Sequence, residues 1–412
     1  MNLLLLIVGV LLLAIVAVTF VPIRRDPLTG TAFVVGWLTG ELAGQLIVAD
    51  LVIVSLLMWA HGASHRMGRI GLALDAVALV GLVVLGIIGR RARSVVASSL
   101  AATPGMPIDL DNDALRPRWG RWWRVMRGVP LPKRSTVITR NIDYVGDGAR
   151  RHRLDIYAPP AVETGAPVLI YVHGGAWVIG DKREQGRPMM YELVARGWVC
   201  VAMNYRLSPA ATWPDHIVDV LTAIAWVKAH IAEYGGDPSF LAISGGSAGG
   251  HLAALAALAA GDPTFQPGFE ETDTTVDACI PIYGALDVTA DPATSGKYGP
   301  GLRIVLEQRV FKKKLREHRD EFEAASPHYR IHAAAPPFLV LHGTHDTLVP
   351  VAVPRAFVPA LRAVSENPVA YVELPFAQHA FDVTASPRTS ATTAGVVAFL
   401  TAVRDRAAKS AG

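Results

Sequence analysis

Three side chains of this sequence have the types and setting for nucleophilic catalysis. Ser247 stands in Gly245-Gly246-Ser247-Ala248-Gly249, between the apolar run FLAIS and the Ala/Leu-rich run HLAALAALAA. Asp346 lies in LVLHGTHDTLVP and His379 in ELPFAQHAFD, each just beyond an apolar run. A serine hydroxyl attacks only when a base takes its proton, and the base needs an acid to orient it; the chain order serine, acid, histidine satisfies that requirement. In this reading His379 takes the Ser247 proton and returns it to the leaving group, while Asp346 holds the imidazole. His342, His345, Asp382 and Asp287 are nearby competitors for the two supporting roles. Backbone N–H donors for a developing oxyanion come from HGGAW, with Gly175 and Ala176 joined by Ala248 and with Gly174 shaping the turn. His173, at the head of that loop, is assigned to fixing the glycine turn rather than to proton transfer.

The elements that must position these groups follow from hydrophobic pattern. G-x-S-x-G at a strand-to-helix junction forces a strained turn that lifts the serine above a sheet, at a helix N-terminus that favours negative charge. A glycine-rich phosphate loop is the competing reading, and the G-K-[ST] ending it requires is missing. Eight runs read as strands: TVITRNIDYV, RHRLDIYAP, PVLIYVHGG, WVCVAMNYR, FLAISGG, ACIPIYG, PFLVLHGTHD and AYVELPF. Several are continuously apolar, as in strands covered on both faces, and helical patterns such as 214–232 and 251–260 lie between them. This predicts an α/β fold with a mainly parallel sheet of about eight strands and helices on both faces, its ligands beyond the C-terminal strand ends.

The first ninety residues differ. Over 412 residues the mean hydropathy is +0.33, and the excess is concentrated at the N-terminus. Leu3–Ile23, a run between Thr31 and Ala60, and Ile70–Gly89 predict about three membrane helices. The second run is too long for one upright helix and carries Glu41 and Asp50, so a tilt, an interfacial start or a kink must absorb the extra length; Gly36, Gly40 and Gly44 mark a stripe suited to close helix packing. Asp50 and Asp75 read as acids turned into the bundle. A basic patch and then an Arg/Trp stretch follow, RPRWGRWWRVMRGVPLPKR, which suits a headgroup interface or a flap over a site. Nucleic acid is excluded as a partner, because the basic excess sits beside the membrane with no groove-reading or stacking fold. Short-loop charges, Arg24, Arg25, Arg90, Arg91 and Arg93 against Arg66 and Arg69, predict a multi-pass protein with its catalytic part in the cytoplasm. Cys200 and Cys279 lie in apolar strands, as buried thiols do.

On HGGAW, NYRLSP, GGSAGG, HGTHDTLVP and QHAFD, residues 135–405 resemble an α/β-hydrolase of the esterase/lipase group that includes hormone-sensitive lipase-like bacterial carboxylesterases. Ala176 stands where that group usually has a third glycine, and Gly246 where it usually has an acid. The resemblance implies an α/β-hydrolase fold and an acyl-enzyme mechanism. The organisation expected is a transmembrane region over 1–95, a basic linker or flap over 96–134, and a catalytic domain over 135–407 with a cap insertion at about 287–328. The function expected is a membrane-anchored serine carboxylesterase or lipase acting on short to medium acyl or lipid-derived esters, with membrane lipid as its surroundings. H-G-G-x-W is also similar to kynurenine formamidases, so an arylformamidase-like amidase or an acyltransferase with the same triad is the alternative. No cofactor and no metal are implied, and the oligomeric state is left open.

Overall fold

The computed structural model describes residues 2–24, 28–61, 65–110, 128, 136–161, 164–296 and 302–411. The Arg/Trp stretch expected as a flap lies outside them, apart from Gly128.

The N-terminal runs form four helices: α1 (Asn2–Phe20), α2 (Thr29–Glu41), α3 (Ala43–His61) and α4 (Arg66–Ala101). Spans 2–20, 43–60 and 66–101 are long and apolar enough to cross a membrane by length and composition. Leu3, Leu11, Val52, Leu56, Val77 and Val80 stand exposed around them, as side chains in contact with lipid would. The run between Thr31 and Ala60 is therefore divided at Leu42. Its first part, 13 residues, measures only about 20 Å at ~1.5 Å per residue, too short for a ~30 Å core. The division has a physical cause in Glu41, which is buried against Arg388 of the catalytic part instead of lying in a continuous apolar helix.

The close helix seam also lies elsewhere than the Gly36/Gly40/Gly44 stripe predicts. Gly36 and Gly40 face Gln378 and Arg388, while Gly44 has open space around it. It is α1 and α4 that touch backbone to backbone: a Cβ on Gly9 would stand 2.2 Å from the Gly71 carbonyl oxygen, and one on Gly71 would stand 2.5 Å from that of Leu5. Because van der Waals packing drives helix association in lipid, absent side chains at the seam are what allow it. Asn2 lies beside Gly68 and Phe20 beside Gly81, so the two helices run parallel. Asp50 of α3 and Asp75 of α4 turn toward each other, both buried in the bundle.

The sheet has eight strands, β1 (Val137–Asp143), β2 (Arg153–Ala158), β3 (Ala166–Val172), β4 (Val199–Met203), β5 (Gly236–Gly246), β6 (Ala278–Ile282), β7 (Phe338–Gly343) and β8 (Val369–Leu374). Their order is β1-β2-β4-β3-β5-β6-β7-β8. β2 is antiparallel to both its neighbours and β3 to β8 are parallel. All seven residues of β3 are buried, as continuous apolar runs covered by helices on two faces should be. The longer helices of this part are α5 (Arg187–Val194), α6 (Asp215–His230), α7 (Ala248–Leu258), α8 (Ala352–Val364) and α9 (Pro387–Ala411). This is the α/β-hydrolase arrangement, preceded by apolar helices.

The boundary expected at residue 95 falls inside a helix. α4 continues unbroken to Ala101, about 54 Å at ~1.5 Å per residue. Its last turns carry Ala92, Val96 and Leu100, which recur every fourth residue and bury into the catalytic core beside α9. The apolar stripe continues past the membrane-length stretch, so the N-terminal helical part and the catalytic part share one helix. In the insertion between β6 and β7, Phe311 stacks on Phe322 at 3.9 Å and on Trp213 at 5.5 Å, fixing it to the catalytic core.

Gly71→Leu should separate α1 from α4, at a cost of about 1–3 kcal/mol for overpacking. Thermal unfolding in detergent checks this: Gly71→Leu melts several degrees lower, while Gly86→Leu, where a Cβ meets nothing within 4 Å, melts with the wild type.

Candidate active site

Ser247 links β5 to α7 with φ +56° and ψ −121°, a conformation that L-residues rarely adopt. The glycines around it make the crowding possible. A Cβ on Gly249 would stand 2.1 Å from the Val172 carbonyl oxygen, and one on Gly246 would stand 2.9 Å from the Tyr283 ring. Strand, turn and helix thus approach to backbone contact, which presents Ser247 half-buried at the C-terminal edge of the sheet.

Asp346 and His379 come from the loops after β7 and β8. His379 Nδ1 donates to Asp346 Oδ2 at 2.7 Å, and both residues are buried. The other carboxylate oxygen accepts from the N–H groups of Leu348 (2.9 Å) and Val349 (2.8 Å). Burial alone would raise the Asp346 pKa, but His379, His342 and these bonds outweigh it and hold the carboxyl below its ordinary value. With Nδ1 committed as donor, His379 Nε2 is the ring nitrogen left able to accept a proton. It is buried and has no hydrogen-bond partner among the described residues. Ser247 makes no hydrogen bond to it. The ring of Tyr283 joins the two halves: it packs against Gly246 and lies 4.5 Å from the His379 ring.

The loop after β3 lies over the elbow. A Cβ on Gly174 would stand 3.1 Å from Ser247 Cβ, and the Gly174 N–H donates to Gln185 Oε1 at 2.9 Å. Gly174 is thus spent on shaping the turn. Gly175 and Ala176 both have positive φ, +121° and +52°, and their N–H groups make no hydrogen bond among the described residues. Ala248 opens α7, where the first N–H groups of a helix lack intrahelical partners. His173 donates from Nδ1 to the Gly174 carbonyl at 2.7 Å and stacks on Tyr205 at 4.5 Å. Burial pushes its pKa down to about 4, so it is a neutral strut. The segment bearing Gln185 is itself fastened by Arg183 to the buried Asp155, Nε to Oδ2 at 2.6 Å.

The competing residues have other hydrogen-bond partners, and of them His342 also supports Asp346, with Nε2 3.4 Å from Oδ2. Asp287 accepts from Thr289 N and Oγ1, both at 2.7 Å, and from Thr294 Oγ1. His342 donates to the Val349 carbonyl at 2.9 Å, and His345 Nε2 lies 3.2 Å from the Phe20 carbonyl. Asp382 accepts from the Tyr283 hydroxyl. The basic run in the insertion is neutralised locally: Lys313 meets Glu321, Lys314 meets Glu307, Arg316 meets Glu317 and Arg319 meets Asp291 and Glu323. Among the described residues no group of three His, Cys, Asp or Glu side chains is placed to hold a metal ion. Cys200 and Cys279 are free and buried, and burial pushes both thiols up.

Sequence reasoning missed the contribution of the N-terminal helices. Phe33 of α2 packs edge-on against the His379 ring at 5.9 Å. Arg24 donates to the carbonyl of Asp346 at 3.0 Å. Glu41 pairs with Arg388 at 2.7 Å, both side chains 1% exposed, and accepts from Ser386 Oγ at 2.6 Å. Gln378 Oε1 accepts from the N–H groups of Thr347 (2.7 Å) and His379 (2.9 Å), stapling the acid loop to the histidine loop. Glu41 was the available signal, since an acid at the end of an apolar run requires a partner.

Residues 154–361 match the model of the BD-FAE family. The chain is 42% identical over 397 residues to the "Probable carboxylic ester hydrolase LipM" of Mycobacterium tuberculosis, covering 93% of this chain and 89% of that one. It is 48% identical over 281 residues to esterase LipQ of the same organism, covering 68% and 66%. Among solved structures, the truncated form of a carbohydrate esterase from gut microbiota is similar, with a TM-score of 0.53 and 27% identity over 60% of this chain and 91% of that one.

Asp382 supplies a pH test of the wall behind His379. Burial raises its pKa from 3.8 to about 6, against the lowering effect of the Tyr283 bond. A carboxyl whose folded value exceeds its unfolded value binds a proton more tightly when folded. Its presence therefore erodes stability as pH rises from about 4 to about 6, by roughly 3 kcal/mol in full. Asp382→Asn removes that erosion, so its melting temperature should rise relative to wild type between pH 4 and pH 7.5. An offset that stays constant with pH contradicts it.

Proposed function

The chain belongs to the BD-FAE family and is a carboxylic ester hydrolase, and from that premise we propose that it is a membrane-anchored serine esterase working through Ser247, His379 and Asp346. The observation that carries this reading is the 2.7 Å bond from His379 Nδ1 to Asp346, made beside a serine held at φ +56°.

In this mechanism His379 Nε2 takes the Ser247 proton as Oγ attacks the ester carbonyl. The carbonyl oxygen becomes an oxyanion that accepts from the N–H groups of Gly175, Ala176 and Ala248. Asp346 stabilises the imidazolium, and as the tetrahedral intermediate collapses His379 gives the proton to the leaving alcohol oxygen. The carbon–oxygen bond to the alcohol breaks and the acyl group stays on Ser247. Water then repeats the sequence: its proton passes to His379, its oxygen attacks the acyl carbon, and the proton returns to Ser247 as the acid leaves. The substrates are short to medium acyl or lipid-derived esters.

The catalytic domain is held at the cytoplasmic face by three spans, α1, α3 and α4. Support comes from the parallel run of α1 and α4, in which Arg24, Arg90, Arg91 and Arg93 lie toward the catalytic end and Arg66 and Arg69 toward the other, with Arg25 adding to the basic side by its place in the sequence. The domains follow as a membrane region ending within α4, a basic segment to residue 134, and a hydrolase domain over 135–407 with its cap at 287–328.

Ser247→Ala should remove p-nitrophenyl butyrate turnover, and Asp346→Asn should lower kcat by roughly three to four orders of magnitude, since it loses the charge that stabilises imidazolium. Asp287→Asn should stay within about threefold of wild type, because that acid serves the insertion. Steady-state kinetics on the three variants decide the assignment, and a crippled Asp287→Asn beside an active Asp346→Asn reverses it. Topology is read separately: alkaline phosphatase fused after residue 412 should be expressed and silent in a bacterial host, and strong phosphatase activity places the catalytic domain outside.

A further inference from the structure

α2 is too short to span the bilayer, yet one of its faces lies against the histidine loop and the start of α9. Phe33, Gly36 and Gly40, spaced by three and four residues, face His379, Gln378 and Arg388 in turn. The buried Glu41–Arg388 pair pins the end of the same helix to the start of α9. Val34 and Leu38, on the opposite side, are exposed. α2 is therefore a wall with the catalytic histidine on one side and an apolar surface on the other, connected directly to α1 and α3.

Two features point to a ligand on the catalytic side. Trp37 stacks on Phe33, with ring centroids 5.9 Å apart and planes within 6°. Its indole N–H is buried and has no hydrogen-bond partner among the described residues, as is also true of His379 Nε2. Burying a donor unpaired costs free energy, so such donors persist mainly where something else satisfies them. The position of Phe33 says which part of an ester comes there. His379 must hand its proton to the leaving alcohol oxygen, so the group bonded to that oxygen lies beside the imidazole, and Phe33 flanks the imidazole.

We propose that α2 is the alcohol-selecting wall of the active site. Phe33 and Trp37 bind the apolar alcohol moiety of an ester whose chain remains in the bilayer, and the Trp37 N–H pairs with an oxygen of that substrate. The inference rests on the Ser247 esterase reading and deepens it: the substrate class is esters of membrane-resident apolar alcohols, reached from the lipid along α2 rather than from water.

The test uses the full chain in mixed micelles and two butyrate esters that differ only in their alcohol, hexadecyl butyrate and ethyl butyrate, with acid release followed by pH-stat. The readout is the hexadecyl-to-ethyl ratio of kcat/KM. Phe33→Ala should lower that ratio by about tenfold or more, the scale on which apolar pockets discriminate. Trp37→Phe keeps an aromatic ring while removing the indole N–H and the second ring, and should lower it about threefold or more. Val34→Ala, on the lipid side, should leave it unchanged. A small fluorophosphonate reacting with Ser247 in the same preparations separates the two levels of the argument. If wild-type Ser247 does not react, the esterase reading falls and the inference with it. If it reacts in all variants and the ratio stays at the wild-type value in Phe33→Ala and Trp37→Phe, the inference alone is overturned and α2 is only an anchor. Should Phe33→Ala fail to fold, Phe33→Leu and Trp37→Phe carry the same test.

Discussion

The bond between His379 Nδ1 and Asp346 Oδ2 is the contact on which the rest of this molecule turns. It joins two loops that have no covalent reason to be neighbours, and it is buried, so every group that approaches it must be satisfied or excluded. The loop of Asp346 meets that demand with two backbone N–H donors on the free carboxylate oxygen and with Gln378 stapling it to the histidine loop. The same loop is also where the N-terminal helices dock. Arg24 caps its Asp346 carbonyl, and His345 lies against the carbonyl of Phe20. The acid–histidine geometry and the docking of the apolar helices are thus held by one short segment.

That coupling explains why the apolar helices are more than a tether. A flexible anchor would leave the catalytic domain free to rotate over the bilayer, whereas here α4 runs without a break from the apolar bundle into the catalytic core. The buried Glu41–Arg388 pair adds a second fixed point. Removing one partner from such a pair leaves an uncompensated buried charge, commonly worth 3–5 kcal/mol, so the orientation it specifies is unique even if its net stabilisation is small. The site consequently has a fixed relation to the exposed apolar surfaces of α1, α3 and α4.

How much of this could be read from the chain depends on the range of the interactions. The eight strands were legible because each is a short apolar run bounded by Gly or Pro, and the parallel order followed from their alternation with helices. The geometry around Ser247 was legible because G-x-S-x-G between a strand and a helix admits few backbone paths. That the run between Thr31 and Ala60 exceeds one upright helix was legible from its length, but the division at Leu42 was not, since it depends on Glu41 finding Arg388, 347 residues away. Nor was the true helix seam: the Gly36/Gly40/Gly44 stripe has the textual form of a packing motif, yet Gly9 and Gly71 make the contact because only they are brought face to face. Phe33 carried no signal at all, for an aromatic in an apolar run is indistinguishable from one that merely faces lipid.

The central claim is that Ser247 is the nucleophile activated by His379. Treating the full-length enzyme with a fluorophosphonate, digesting it and locating the adduct by mass spectrometry tests this directly, because only an activated hydroxyl reacts at a useful rate. The account predicts one phosphonate on the peptide carrying Ser247, formed in step with loss of esterase activity and absent from His379→Gln. An active enzyme that resists the reagent, or one whose adduct lies on another residue, would contradict it.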